Sequence, residues 1–128
     1  MHISFLFTKI KQNKHEEIYK AFYQKMFDLI FNKIELNMRE IGYGDTVINK
    51  NMKFLAKTFY NILLNCEDFN ERSLNLKKMF FFNYLTHNNM KKKADNVPLI
   101  EYFVKYQAFC FDLSLDSVLK GNLNFNYK

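Results

Sequence analysis

The chain has 128 residues, a length typical of one domain, and a formal net charge of +6. Aromatic residues make up 18% of the chain, with 15 Phe, so there is ample material for a hydrophobic core. Only three Gly and one Pro are present, which argues against sandwiches and barrels because those folds need many turns. We therefore predict an all-α fold: a single compact domain over residues 1–128, with about five helices and a short C-terminal turn.

The first two predicted helices cover residues 1–12 and about 15–41. The first carries apolar residues at Ile3, Phe7 and Ile10. The second gives the strongest signal, because its apolar residues recur at steps of three and four and so line one face of a helix. These residues are Tyr19, Phe22, Met26, Ile30, Ile34, Met38 and Ile41. Gly42 is expected to end this helix in the left-handed conformation.

The third predicted helix covers about residues 47–66, with Asp45 or Thr46 as its expected side-chain cap. Its apolar face is formed by Ile48, Met52, Leu55, Ala56, Phe59 and Leu63. A different face carries Lys50, Lys53 and Lys57, which we call the basic face. Two interpretations of it stay open: a solvated surface, or a docking patch for phosphate or carboxylate groups.

The C-terminal half predicts two more helices. The fourth covers about residues 70–85 and is apolar almost all round near its end, so we expect burial on more than one side. The fifth is expected to begin after Asn96, with Pro98 in its first turn. A final short turn at residues 115–120 should stop at Gly121.

The sequence lacks the residue patterns typical of an enzyme, and we predict no catalytic residue, metal or cofactor. The three histidines lack the spacing of metal ligands; they are His2, His15 and His87. Cys66 and Cys110 lie in apolar stretches without a C-x-x-C pattern, so we interpret them as free buried thiols. No apolar stretch approaches the ~20 residues of a spanning helix, and no secretory signal is visible, so we expect an interior location.

Residues 27–60 carry recognisable motifs. They read FDLIF at residues 27–31, MREIGYGD at residues 38–45 and AKTFY at residues 56–60. This resembles the ubiquinol–cytochrome c chaperone family, whose members carry F-D-x-x-F, then L-R-E-x-G-x-G-D, then a basic helix ending in A-x-x-F-Y. Residues 118–125 resemble the family's closing segment. The chain departs at Met38, where the family has Leu, and at Asn51, which thins the basic face. Family members usually carry a further helical region before the position that His2 matches, so we expect a shortened N-terminal region.

The resemblance implies an all-α fold without catalytic residues and a role in assembling the ubiquinol–cytochrome c reductase complex (complex III). Members in mitochondria bind newly made cytochrome b near the ribosome exit, together with a small partner protein. It also implies a location in the cytoplasm, peripheral to the inner membrane, in a bacterium, or on the matrix side in a mitochondrion.

We combine these observations in one hypothesis about the surface that meets the partner. It consists of the basic face and of residues 39–45, the glycine corner, which contributes Arg39, Glu40, Gly42, Gly44 and Asp45. In a competing interpretation, the three charged corner residues only pair with and cap one another. Two other functions also stay open: a basic helical domain that binds nucleic acid or the ribosome, and a structural subunit of a larger membrane complex.

Overall fold

The computed structural model describes residues 1–12, 17–85 and 97–127. Its elements are α1 (His2–Lys11), α2 (Glu17–Ile41), α3 (Asp45–Glu67), a 3₁₀ turn (Phe69–Glu71), α4 (Leu74–Leu85), α5 (Val97–Asp112) and α6 (Leu115–Leu119). Within these ranges there are five helices of ten or more residues, one short helix and no strand. The predicted all-α fold with about five helices and a short C-terminal turn is therefore confirmed.

Helix α1 lies at the centre of the molecule, although it is only 10 residues long. It packs against α2, α3 and α5, and its Phe7 is fully buried. The Phe7 ring meets Tyr23 of α2 edge to face at 4.6 Å and Phe59 of α3 at 5.6 Å between ring centroids. Because neighbours cover α1 on several sides, Phe5 and Leu6 are buried as well as Phe7.

The main core is built from aromatic side chains of α1, α4, α5 and the 3₁₀ turn. Phe5 stacks on Phe103 at 5.6 Å and meets Phe69 edge to face at 5.3 Å. Phe81 stacks on the same Phe103 at 5.2 Å. Burial of each ring contributes about 1.5–3 kcal/mol, and a favourable ring pair adds about 0.5–1.5 kcal/mol. This cluster ties the N-terminal helix to the C-terminal half of the chain.

Both cysteines belong to this core as free thiols, which confirms the prediction for Cys66 and Cys110. Burial raises the pKa of the Cys66 thiol to about 12 and that of the Cys110 thiol to about 11. A thiol held in its protonated form is a poor nucleophile and a poor metal ligand. Their environment therefore gives these residues a packing role.

The start and the burial of α4 differ from the prediction. The 3₁₀ turn and an extended Arg72 delay the helix to Leu74, and Ser73 Oγ accepts a hydrogen bond from the Leu76 N–H at 3.4 Å. The expected burial on more than one side is wrong. Phe80 and Phe81 are buried on one side, whereas the opposite side is exposed. Met79 and Phe82 are large apolar residues on that exposed side, and Leu74 and Leu76 at the start of the helix are exposed as well.

Two elements of the C-terminal half agree with the prediction. Pro98 is the second residue of α5 and so lies in its first turn, as predicted. The predicted cap, Asn96, lies outside the described residues. Helix α6 begins with Ser114 Oγ accepting the Ser117 N–H at 3.1 Å. It is followed by Gly121 at φ +72°, a left-handed conformation that ends the turn.

Helices α2 and α3 form a long antiparallel hairpin. At a rise of about 1.5 Å per residue they are roughly 38 and 35 Å long, against roughly 15 Å for α1. Helix α2 contains no fully buried residue, so its apolar face is only half covered. Every residue from 39 to 47 is exposed, including Ile41 at 74%. The fold thus presents the tip of this hairpin to its surroundings.

Candidate partner-binding surface

Gly42 ends α2 by a backbone motif that requires a left-handed residue. Its φ is +99°, its N–H donates to the Arg39 carbonyl at 3.0 Å, and the Tyr43 N–H donates to the Met38 carbonyl at 3.1 Å. This pair of bonds is a Schellman motif, which satisfies two carbonyl groups at the helix end. The prediction for Gly42 is confirmed, and the residue fixes the direction in which the chain leaves α2.

Gly44 differs from Gly42 in its backbone conformation. Its φ of −74° and ψ of 155° are extended values that any residue adopts, so the corner does not need a glycine there. Gly44 is the N-cap of α3, and its carbonyl accepts the Ile48 N–H at 3.0 Å. Helix α3 therefore starts at Asp45, two residues before the predicted start. The expected side-chain cap from Asp45 or Thr46 is absent, because α3 has no side-chain cap hydrogen bond.

Arg39 joins the two helices at the corner. Its Nη1 lies 2.5 Å from Asp45 Oδ1, while its Nη2 and Nε lie 2.8 and 3.2 Å from Glu35 Oε1. Hydrogen bonds to Glu35 and Asp45 raise the pKa of the Arg39 guanidinium above its ordinary value. The Arg39 side chain is exposed, so these ion pairs are screened by salt and mainly set the geometry of the corner. The structure thus brings Arg39 and Asp45 together as one pair.

Glu40 is next to Arg39 in sequence but does not join this network. It is exposed, and no ion pair or hydrogen bond involves its carboxylate within the described part of the chain. The interpretation in which all three charged residues pair with one another therefore holds for Arg39 and Asp45 only. Glu40 remains as a negative charge at the tip.

The basic face lies along α3 just beyond the corner. Lys50, Lys53 and Lys57 are all exposed, and none of them forms an ion pair with a described residue. Three like charges within two helical turns repel one another by a few tenths of a kcal/mol per pair. An anionic partner would relieve this repulsion, so the arrangement suits a phosphate or carboxylate group.

Sequence reasoning missed Phe54, which is 71% exposed between the lysines of the basic face. The core-facing side of α3 carries the buried Ile48, Leu63 and Cys66, so Phe54 points away from the core. The sequence did contain a signal of this exposure. Phe54 falls outside the predicted apolar face and has lysines one residue before it and three residues after it. An aromatic ring in that position is part of the surface, not of the packing.

The described residues show no other arrangement with obvious chemistry. They hold no group of three or more His, Cys, Asp or Glu side chains that suits a metal ion. His2 Nε2 lies 2.9 Å from the Tyr102 hydroxyl, and partial burial lowers the pKa of its ring. His15 and His87 lie outside the described residues. In the described ranges, no helix combines the length and apolar character needed to cross a membrane.

An apolar groove of about 350 Å³ lies between the N-terminal end of α1 and the middle of the hairpin. Its walls include Ile3, Ile34 and Leu55. This explains why Ile3, one of the predicted apolar positions of α1, is 42% exposed while Phe7 and Ile10 are buried. The groove is open and lined mainly by carbon atoms, so it offers contact area to an apolar group.

Comparison with known protein families gives a match that covers both parts of this surface. A family model described as ubiquinol-cytochrome C chaperone matches residues 1–125, which is nearly the whole chain and includes the glycine corner and the basic face. Neither a curated protein nor a solved structure matches the chain.

Proposed function

The chain belongs to the ubiquinol–cytochrome c chaperone family, and from that premise we propose that it assists the assembly of complex III by binding newly made cytochrome b. The observation that carries this proposal is the family match over residues 1–125. The proposed role is binding and not catalysis, and the whole of residues 1–128 acts as one domain. The proposed place of action is the cytoplasmic side of the inner membrane in a bacterium or the matrix side in a mitochondrion.

The proposed binding surface is the glycine corner together with the basic face. The corner is held in shape by the Gly42 backbone motif and the Arg39–Asp45 pair. It presents Ile41 and Tyr43, two large exposed apolar side chains, at the tip of the hairpin. A chaperone for a membrane subunit must recognise apolar or loop segments, and these side chains supply such contacts.

The basic face adds positive charge next to these apolar contacts. Its lysines have no ion-pair partner among the described residues, so they attract anionic groups without breaking an existing pair. Charge next to an apolar tip favours orientation of the bound segment and fast association. In this proposal the corner supplies contact and the basic face supplies steering.

The proposal is tested by deletion followed by complementation. Cells that lack the chain should accumulate less cytochrome b and lose ubiquinol–cytochrome c reductase activity, and the wild-type chain should restore both. The basic-face reversal, in which Lys50, Lys53 and Lys57 become Glu, should restore them poorly.

A matched control uses three exposed lysines of α2, the control lysines, which are Lys20, Lys25 and Lys33. Each Lys→Glu substitution lowers the formal charge by two, so either triple reversal changes the formal net charge from +6 to zero. Normal complex III levels in the basic-face reversal would refute a role of these lysines in docking the client. Normal levels after deletion of the whole chain would refute the function itself.

The unpaired lysines also support one alternative, a domain that binds RNA or the ribosome surface. This alternative predicts an affinity for RNA that falls steeply as salt rises, because counterions are released on binding. A gel-shift series across salt concentrations measures it. Tight, salt-dependent RNA binding together with normal complex III levels in the deletion would favour the alternative.

A further inference from the structure

The outer side of α3 combines charge and exposed apolar surface in a regular pattern. Positions 47, 50, 54, 57 and 64 recur at steps of three, four and seven, so they share one side of the helix. Val47, Phe54 and Leu64 are exposed there, between and beyond the exposed lysines of the basic face. Single exposed apolar residues are ordinary, but three aligned along a lysine-bearing helix form an amphipathic outer surface.

The charge of this outer surface identifies the kind of partner. Lys50, Lys53 and Lys57 provide three positive charges without an ion pair in the described ranges, and no carboxylate residue lies between positions 46 and 66 of α3. Helices with lysines beside Phe and Leu bind at the surface of bilayers that contain anionic lipid. The long lysine side chains reach headgroup phosphates while apolar side chains enter the headgroup boundary.

We infer that the outer surface of α3 docks on an anionic bilayer, with the basic face on lipid phosphates and the Phe54 ring at the headgroup boundary. This deepens the proposed function, and rests on it, by naming the anionic partner of the basic face: newly made cytochrome b is a membrane subunit, so its chaperone works beside a bilayer. The glycine corner, at the end of the same helix, then meets the client at the membrane surface.

The test is co-sedimentation of the purified full chain with lipid vesicles. The chain should bind vesicles of phosphatidylcholine mixed with phosphatidylglycerol, should not bind phosphatidylcholine alone, and should release as salt rises. The basic-face reversal should lower the partition coefficient at least ~100-fold, since each lysine contributes roughly fivefold and the new glutamates repel the lipid. The triple reversal of the control lysines should change it much less.

A second variant separates lipid docking from simple attraction to any polyanion. Phe54→Ala keeps every charge and should lower binding to the anionic vesicles about tenfold, because the ring no longer enters the boundary. It should leave binding to soluble polyglutamate or RNA unchanged. Equal vesicle binding by wild type and Phe54→Ala would refute the placement of the Phe54 ring at the headgroup boundary. Equal losses for the basic-face and control reversals, or no preference for anionic vesicles, would overturn the docking surface.

The residues of this test are exposed, so the variants should fold, and far-UV circular dichroism checks that they do. The vesicle assay contains no client, which separates the two proposals. Failure to bind vesicles, with complex III still lost in the basic-face reversal, overturns lipid docking and leaves the client role. In the opposite result, the basic-face reversal loses vesicle binding but keeps normal complex III levels. That result supports lipid docking and shows that these lysines are not needed for assembly.

Discussion

The backbone of the glycine corner gives a sharp prediction about two glycines that look equivalent in sequence. Gly42 has φ +99°, and an added Cβ there would meet no atom within 4 Å. The cost of Gly42→Ala is therefore conformational: about 1–2 kcal/mol for a left-handed L-residue, offset by about 0.4–1 kcal/mol from the less flexible unfolded chain. We expect a net loss of about 1 kcal/mol, or about 3–5 °C in Tm for a domain of this length.

Gly44→Ala is the matched control. Its φ of −74° suits any residue, and an added Cβ also meets nothing within 4 Å. The loss of glycine as N-cap costs roughly 0.5–1 kcal/mol, and the less flexible unfolded chain offsets it by a similar amount. The free energy of unfolding should therefore stay within about 0.5 kcal/mol of wild type. Urea unfolding followed by far-UV circular dichroism measures both variants. Equal losses at the two positions, or a larger loss at Gly44, would refute this account of the corner.

Two further predictions concern the core. Phe7→Ala should lower the free energy of unfolding by about 3–5 kcal/mol in urea titrations, because it leaves a cavity where three helices pack together. Phe54→Ala, at an exposed position, should change the free energy of unfolding by no more than about 0.5 kcal/mol. Similar losses in the two variants would contradict the burial pattern. The pKa of Cys66 is raised by burial to about 12 from 9.0, so the folded state holds its proton more tightly than the unfolded state. The Cys66 contribution to stability should therefore be constant below about pH 9 and fall as pH rises from 9 toward 12, and Cys66→Ala should make the fall in stability shallower over that range; an unchanged slope in the variant would contradict it.

Sequence periodicity predicted helices best where one face of the helix packs against the core and the other is exposed. Helix α2 has such a face, so steps of three and four identified it, and Gly42 marked its end. Helix α1 is surrounded by α2, α3 and α5, so its apolar positions did not separate the buried Phe5 from the exposed Ile3. The 3₁₀ turn at Phe69–Glu71 depends on tertiary packing of Phe69 and has no periodic signal.

The candidate surface was predicted in outline but not in its details. The spacing of the lysines placed them on one face, because helical periodicity alone decides that. The backbone conformation of Gly44 and the absence of a cap from Asp45 depend on how two helices meet, which local propensity does not determine. The family resemblance that was inferred from the motifs in residues 27–60 is confirmed by the family match over residues 1–125.

The most direct test of the proposed function is site-specific crosslinking to the client. A photoreactive phenylalanine analogue replaces Tyr43, an exposed aromatic residue of the glycine corner, in cells that are making radiolabelled cytochrome b. The same analogue at Tyr127, an exposed tyrosine whose ring packs on Tyr102 of α5, is the control. We predict an adduct with newly made cytochrome b from position 43 and none from position 127. No adduct from position 43, or equal adducts from both positions, would contradict the proposal.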